Sequence, residues 1–297
     1  MPNPHLPNFL IIGVEKGGTT WLHTQLIKHP EIFLPNTKEI HFFNKYNSNF
    51  IAHDYFNLGL NWYLEFFKEY EGQRAIGEVT PMYICDPEAP LRIKKTLPDV
   101  KLIVMLRNPV DRAYSHYWMA KHKNHTNLTF KEVIEQEEPR FIQRGLYYKQ
   151  LKTYYELFNP NQIIVLFYDE VFKNPEYWLS KVCNFLGVNS TYYQNDSSLS
   201  DKVFQASAYR SSFLLNKQNY VVHKMRKNKI MSSMLNWLKR NGFSDQVKKF
   251  NAVEKSYEKI SESDALLLQN YYQGDLEALS SLLNRVLPFK SDSSKVF

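Results

Sequence analysis

The sequence contains the stretch Phe9-Leu10-Ile11-Ile12-Gly13-Val14-Glu15-Lys16-Gly17-Gly18-Thr19-Thr20-Trp21-Leu22. An apolar run ends at Gly13, and after Thr20 the apolar residues return at the spacing of a helix. The pattern predicts a strand, a tight loop and a helix start. Such a loop binds phosphate, because its glycines let the backbone approach an anion and the N–H groups of the helix start face it. A glycine-rich strand-to-helix turn without a ligand is the alternative interpretation.

The position of the lysine separates this loop from that of the nucleoside triphosphatases. In the Walker A pattern G-x-x-x-x-G-K-[ST], Gly13 and Gly18 fall in register, but Thr19 stands where the lysine belongs. The lysine is at position 16 instead. A Walker ATPase would also need an Asp after a buried strand to hold magnesium, and here the clearest buried strand ends in Arg107. We therefore expect a P-loop-like site that works through positive side chains and backbone amides, without a metal.

The alternation of strand and helix patterns continues along the chain. Strands are predicted at about residues 9–13, 31–35, 75–81, 100–106 and 162–167, and helices at about 62–70, 87–97, 109–117, 146–158, 175–186, 207–240 and 261–283. Buried strands flanked by helices are typical of parallel sheets, so we expect an α/β protein: a P-loop-like three-layer fold with a mainly parallel central sheet flanked by helices. Ligands of such sheets bind beyond the carboxyl ends of the strands.

The length and composition predict one globular domain. The chain has 297 residues, of which 43% are hydrophobic, enough for a substantial core at the upper size of one α/β domain. We expect a single domain over residues 1–289, whose C-terminal part, about 207–286, is helical and basic. A disordered tail is expected at 290–297.

The positive charge is concentrated in residues 217–249, which hold nine Lys or Arg and one acidic residue, Asp245. This segment is a solvated helical face, a rim that attracts an anionic ligand, or a contact for acidic polymers or a membrane surface. No motif interleaves aromatic with basic residues on one platform, so we expect no nucleic-acid partner.

Cysteine usage and hydropathy favour a cytoplasmic protein. Cys85 and Cys183 are far apart in sequence and make neither a disulfide framework nor a metal-ligand cluster. A reducing compartment suits them. No signal-peptide pattern and no run of about 18 apolar residues occurs, so we expect no membrane span.

Several motifs resemble those of the sulfotransferases that use 3'-phosphoadenylyl sulfate (PAPS) and release PAP. Residues 16–21 are similar to the family's 5'-phosphosulfate loop, and Arg107 followed by Ser115 is similar to its 3'-phosphate motif. Residues 38–43, Lys-Glu-Ile-His-Phe-Phe, resemble a segment of the heparan-sulfate-type and related bacterial branch. The segments around Gly145 and Tyr168 fit that branch as well.

The resemblance implies roles for individual residues in binding PAPS. The 5'-phosphosulfate would be held by Lys16, Gly17, Gly18, Thr19 and Thr20. Trp21 would lie against the adenine, although at this place in an amphipathic helix it could also be a core residue. Arg107 and Ser115 would bind the 3'-phosphate, the arginine through a charge-assisted fork. An ordinary surface ion pair is the alternative for Arg107.

An in-line sulfonyl transfer needs a base for the acceptor's proton and positive charge where the leaving phosphate develops its own. The resemblance gives Glu39 the role of base, and Lys16 is the natural stabiliser of the leaving group. In an alternating strand, Glu39 and His41 would share one face and Lys38 would point the other way, which makes His41 a partner or an alternative base. A structural His41 bonded to a backbone carbonyl is another interpretation. If Glu39 pairs with Lys38 to hold the fold, the base would be His41.

The resulting hypothesis is a PAPS-dependent sulfotransferase that acts on a hydroxyl or amine of a carbohydrate or small natural product. The alternatives are a P-loop-like kinase or nucleotide hydrolase, and a non-catalytic binder of anionic polymers. The C-terminal R-K-G signature of the cytosolic sulfotransferases, which completes their 3'-phosphate site, is absent, so a third contact to the 3'-phosphate would come from Lys202, Tyr209 or Arg210.

Overall fold

The computed structural model describes residues 6–45, 52, 54–196, 199, 207–209, 252–254 and 258–289. The described residues belong to two compact units. The first holds the chain up to His116, then Phe130 to residue 199 and the C-terminal stretch 260–289. The second holds Tyr117–Thr129 with the short stretches at 207–209 and 252–254. The single-domain organisation over residues 1–289 stays a prediction.

A five-stranded parallel sheet forms the centre of the first unit, in the order β2-β3-β1-β4-β5. Its strands are β1 (Phe9–Gly13), β2 (Ile32–Phe33), β3 (Ala75–Val79), β4 (Lys101–Leu106) and β5 (Ile163–Phe167). The middle strand β1 is buried along its whole length and pairs with both β3 and β4. Near-continuous apolar strands suit a sheet covered on both faces, so the predicted α/β class with a mainly parallel sheet is confirmed.

Helices cover both faces of this sheet. They are α1 (Thr19–Leu26), α2 (Leu60–Leu64), α3 (Ala89–Thr96), α4 (Pro109–His122), α5 (Phe130–Glu135), α6 (Tyr147–Leu157), α7 (Tyr168–Lys173), α8 (Pro175–Leu186) and α9 (Glu262–Leu283). Leu10 and Leu102 share a core cluster with Ile93 of α3 and Tyr154 of α6. Strand neighbours alternate between faces, so the other face meets the buried apolar residues of α1 and α8.

The helix boundaries follow local chemistry that the sequence carries. The Ser261 hydroxyl accepts a hydrogen bond from the Asp264 amide at 3.1 Å and caps α9, where the sequence predicts a helix from about residue 261. Pro175 begins α8, where the Asn174 side chain accepts from the Tyr177 amide. Sequence periodicity missed α7, which follows β5 directly and has only six residues.

The second unit contains an antiparallel pair, β6 (Ser207–Tyr209) and β7 (Ala252–Glu254), with Ala208 opposite Val253. Residues 207–209 are therefore a strand, where the sequence favoured the start of a helix. The strand is defined by its pairing with residues 252–254, which are distant in sequence and do not enter a local sequence pattern. The rest of that predicted helix, the basic segment 217–249 and the tail 290–297 lie outside the described residues.

Candidate active site

The loop between β1 and α1 needs glycine at two positions. The Val14 amide donates to the carbonyl oxygen of Met105 at the end of β4, at 3.0 Å. A Cβ on Gly17 would lie 2.3 Å from the same Met105 oxygen, and Gly18 has a φ of +97°. Only glycine allows the close approach at position 17, and glycine adopts the positive φ at position 18 without strain. The tight loop and the helix start at Thr19 agree with the sequence pattern.

The first amides of α1 face this loop without a capping side chain. Gly18 is the N-cap residue, and within the described part of the chain no side chain caps the helix. The first N–H groups of a helix have no intrahelical acceptor, and with the helix dipole they favour an anion. The loop therefore has the features that a phosphate cradle requires.

A buried ion cluster lies beside the loop. Arg144 Nη1 donates to Glu15 Oε2 at 2.7 Å, and His116 Nε2 lies 3.6 Å from Glu15 Oε1. Burial raises the pKa of Glu15, while Arg144, Arg112 and Lys16 oppose that rise. Burial, helped by Arg112 and Arg144, also holds the pKa of His116 well below its usual range. The loop lysine is thus close to a cluster in which a neutral imidazole and two guanidinium groups surround one carboxylate.

Arg112 is the most deeply buried member of this cluster. Its Nη2 donates to the carbonyl oxygen of Phe141, and its Nε and Nη1 have no hydrogen-bond partner in the described part of the chain. A small cavity reaches Arg112, Glu15 and Gln150. Buried polar groups of this kind are commonly bonded to an internal water.

The segment from Lys38 to Phe43 is not the alternating strand that the sequence predicted. Glu39 and His41 both have left-handed backbone, with φ of 63° and 60°. These two residues break the alternation, and the Glu39 amide donates to the Val79 carbonyl at the end of β3, at 2.9 Å. The prediction that Lys38 points away from Glu39 is therefore wrong, because Lys38 Nζ donates to Glu39 Oε1 at 2.7 Å.

Glu39, Lys38 and His41 come together at the surface. The Glu39 side chain is 39% exposed, and His41 Nε2 lies 3.9 Å from Glu39 Oε2. His41 Nδ1 bonds to the Asn44 side-chain oxygen at 3.2 Å. An exposed carboxylate with a lysine and an imidazole beside it can accept a proton from a bound molecule.

His23 of α1 lies near Lys38 and Glu39, on the helix that begins at the phosphate loop. Sequence reasoning missed this residue. Burial lowers its pKa to about 4, with a further lowering by Lys38 and an opposing effect of Glu39. Glu39 also raises the pKa of Glu15 in the loop. Glu39 is therefore within electrostatic range of both His23 and Glu15. A histidine one turn after Thr19, on the helix that the loop begins, was the available signal.

Arg107 follows β4, as predicted, and contacts an aromatic ring of α7. Its guanidinium lies 4.9 Å from the centre of the Tyr168 ring, and its backbone oxygen accepts from the Tyr147 hydroxyl at 2.8 Å. Arg107 also opposes the burial that raises the pKa of Asp111. The role of Arg107 at a 3'-phosphate stays a prediction, and an ion pair stays the alternative. Ser115 lies on α4 and is half-buried.

Trp21 is 2% exposed and packs against Phe172 of α7, with ring centroids 5.0 Å apart. Its Nε1 is buried and has no hydrogen-bond partner among the described residues. The adenine contact of Trp21 stays a prediction. Of the three proposed additional contacts to the 3'-phosphate, Tyr209 lies in β6, and Lys202 and Arg210 lie outside the described residues.

The described ranges hold no group of three or more His, Cys, Asp or Glu side chains that could bind a metal ion. Among the helices of the same ranges, none combines the length and the apolar character that crossing a membrane requires.

Comparisons with known proteins identify the family. The sequence model of the sulfotransferase domain matches residues 6–267. The membrane-associated sulfotransferase kil1 of Dictyostelium discoideum is 40% identical over 141 residues, which cover 44% of this chain and 28% of that protein. Mouse heparan sulfate glucosamine 3-O-sulfotransferase 3A1 is 34% identical over 193 residues, 62% of this chain and 46% of the relative. The chain spans less than half the length of these curated relatives.

A solved structure extends the likeness over the fold. The sulfotransferase of Alicyclobacillus acidocaldarius superimposes with a TM-score of 0.67 at 25% identity, covering 95% of this chain and 98% of that one. The resemblance drawn from the loop, from Arg107 and from residues 38–43 is confirmed at the level of the family. Because the domain model spans most of the sequence and the fold agrees, the chain belongs to the sulfotransferase family, whose members are transferases that use PAPS as the sulfonate donor.

Proposed function

We propose that this chain transfers a sulfonate from PAPS to a hydroxyl or amine of a carbohydrate, with Glu39 as the base. The observation that carries the proposal is the bond from the Glu39 amide to the Val79 carbonyl at the end of β3, since Val79 pairs with Ile11 of β1, two residues before that strand ends at the loop. It puts an exposed carboxylate next to the loop that holds the anion cradle. A base and a leaving-group site must lie together for an in-line transfer.

The residues present fit PAPS. The cradle of Gly17, Gly18 and the uncapped start of α1 suits its 5'-phosphosulfate, and Arg107 with Ser115 suits its 3'-phosphate. Arg107 Nε is buried and has no hydrogen-bond partner in the described part of the chain, as expected for a group that awaits an anion. When bound, PAPS supplies the sulfonate and a phosphate leaving group.

Each residue then has one task in the reaction. Glu39 takes the acceptor's proton as the acceptor oxygen or nitrogen bonds to sulfur. The bond from sulfur to the phosphate oxygen breaks, and negative charge develops on that oxygen. Lys16 and the first amides of α1 stabilise this charge, so the reaction needs no metal. Lys38, bonded to Glu39 at 2.7 Å, favours the ionised carboxylate that a base requires.

His41 is the second candidate for the base, because Lys38 does pair with Glu39. The bond from Nδ1 to Asn44 supports a neutral tautomer whose Nε2 is unprotonated and faces Glu39. We prefer Glu39, because its exposure makes the pair with Lys38 a weak structural contact. A comparison of Glu39→Gln with His41→Gln separates the two, since the variant that lacks the base should lose far more of its kcat than the other.

The names of relatives support a carbohydrate acceptor, since several are named as heparan sulfate sulfotransferases. A small natural product remains the other acceptor class that we propose. We keep the cytoplasm as the proposed location, although one matched relative is named as membrane-associated.

The proposal is tested by incubating the chain with isotopically labelled PAPS and an acceptor panel that includes desulfated heparan sulfate, read by mass. We expect one acceptor to gain a labelled sulfonate. Glu39→Gln should lose turnover and keep PAP binding, and Lys16→Ala should lower kcat far more than PAP affinity. ATP turnover with magnesium in place of PAPS turnover would favour the kinase or hydrolase, and polymer binding without any turnover would favour the non-catalytic binder.

A further inference from the structure

Glu78 of β3 is a carboxylate in the interior of the protein, with 1% of its surface exposed. Its Oε1 accepts hydrogen bonds from the hydroxyl groups of Tyr63 and Tyr83, both at 2.7 Å. Its Oε2 accepts from the Thr80 hydroxyl at 2.9 Å. A buried carboxylate is tolerated only with such a set of donors, so the three hydroxyl groups belong to one network.

The same network holds the backbone of the segment that carries Glu39. The Ile40 amide donates to the Glu78 carboxylate. The Phe42 amide donates to the Tyr83 hydroxyl at 3.1 Å, and that hydroxyl donates to Glu78. The amide on either side of His41 is therefore fixed to one buried carboxylate, directly or through one hydroxyl group.

The backbone of this segment has a conformation that is intrinsically unfavourable at two residues. Glu39 and His41 both have positive φ, which is disfavoured for residues with a Cβ. Such conformations persist where surrounding contacts over-determine them, and they concentrate at functional sites. Here the surrounding contacts are the bond from the Glu39 amide to Val79 and the two bonds that lead to Glu78.

Aromatic packing keeps water out of the network. The Phe42 ring stacks on the Tyr63 ring with centroids 4.4 Å apart, and the Phe43 ring meets the Tyr83 ring edge-on at 5.5 Å. Both tyrosines thus contact the segment through their rings and Glu78 through their hydroxyl groups. Hydrogen bonds in such a dry environment define geometry more strictly than bonds at the surface.

We propose that Glu78 is a positioning residue for the transfer reaction: through Tyr83 and the Ile40 amide it fixes the left-handed backbone that directs Glu39 and His41 to the acceptor. This role rests on the proposed function of Glu39. Glu78 itself is buried beneath the segment and touches neither donor nor acceptor.

Two variants test the role, each with two readouts. Glu78→Gln keeps the shape of the side chain but loses the charge and replaces one of the two acceptor oxygens by an NH2 donor. Tyr83→Phe removes one hydroxyl group while Glu78 keeps its other donors. The matched control is Tyr193→Phe, because Tyr193 is equally buried and its hydroxyl donates to the Gln25 carbonyl, outside the network. The readouts are kcat with PAPS and the acceptor found above, and hydrogen exchange of the amides of Ile40 and Phe42.

A small displacement of a catalytic group can lower a rate about 100-fold, so we expect that loss in kcat for Glu78→Gln and about a tenfold loss for Tyr83→Phe. PAP affinity should stay within about twofold, since the phosphate loop is untouched. Amide exchange at Ile40 and Phe42 should become faster in both variants and stay unchanged in Tyr193→Phe.

Unchanged exchange and unchanged kcat in both variants would overturn the positioning role and leave the proposed function intact. A parallel loss of PAP affinity and kcat would also overturn it, because the defect would then lie in the loop. If the wild-type chain fails to use PAPS, the proposed function fails, and the exchange measurement still decides whether Glu78 holds the segment.

Discussion

Replacing Arg144 by Met should leave Glu15 as a poorly compensated charge in the interior. Arg144 is 7% exposed, the Glu15 side chain is 17% exposed, and their 2.7 Å bond is the strongest opposition to the burial that raises the pKa of Glu15. Removing one partner of a buried pair costs about 3–5 kcal/mol. Because His116, Arg112 and Lys16 still face Glu15, we expect the lower end, about 3 kcal/mol of unfolding free energy at pH 8.

The effect should depend on pH in a known direction. A carboxyl whose pKa is raised in the folded state binds its proton more tightly when folded, so the free energy of unfolding falls as pH rises through that range. Loss of Arg144 raises the pKa of Glu15 further. The fall in the free energy of unfolding with rising pH therefore becomes larger and extends to higher pH. The difference between Arg144→Met and the wild type should therefore be smaller at pH 5 than at pH 8, because protonation of Glu15 toward acid removes the charge that Arg144 compensates.

Urea unfolding followed by circular dichroism at both pH values measures this difference. Lys152→Met is the control, because the pair of Lys152 with Glu156 is exposed and at 3.8 Å, and such pairs contribute about 0.2–1 kcal/mol. The double variant with Glu15→Gln should recover part of the loss. A loss in Arg144→Met below about 1 kcal/mol, or one that is equal at pH 5 and pH 8, would refute the reasoning.

Three other outcomes are expected. Gly17→Ala should abolish measurable PAP binding in calorimetry, since its Cβ would lie 2.3 Å from the Met105 carbonyl oxygen at the end of β4. Gly274→Ala is the contrasting variant: its Cβ would have no atom within 4 Å, and the free energy of unfolding should rise by about 0.5–1 kcal/mol. Lys38→Met should raise the pKa of His23 from about 4, measured by NMR titration, because the Lys38 charge lowers it; an unchanged value would contradict their closeness. Arg107→Lys should weaken PAP about tenfold and leave the affinity of its 3'-dephosphorylated analogue unchanged, because lysine cannot form the fork; equal losses would exclude a 3'-phosphate contact.

The elements of the first unit were largely readable from the sequence, because their signals are local. The apolar runs of β1 and β4 and the cap at Ser261 each lie within a few residues of the element that they predict. The segment 38–43 was misread, since polar and apolar residues alternate in it as they do in a strand. Its conformation is imposed by Val79 and Glu78, which are distant in sequence.

The site divides in the same way. The loop glycines and Arg107 were predicted from their places at strand ends, where parallel sheets bind ligands. Glu78 was overlooked inside a strand pattern, although a carboxylate in a buried run is itself a signal of a network. Arg144 could not be assigned to Glu15 from the sequence, because their pairing depends on how the short turn Gln143–Gly145 and the loop meet in the fold.

The central place of β1 affects how the protein is made. Phe9 pairs with Gly77 and with Lys101, both far along the chain, so the middle of the sheet depends on non-local contacts. Folding through such contacts is slow, because loop closure precedes the gain from pairing. During synthesis, residues 9–22 leave the ribosome well before β4, whose Met105 carbonyl holds the loop in shape. A nucleotide stabilises only the state that binds it. Because the loop takes its shape only after β4 has joined the sheet, a nucleotide bound at the loop can stabilise this chain late in folding but not at its beginning.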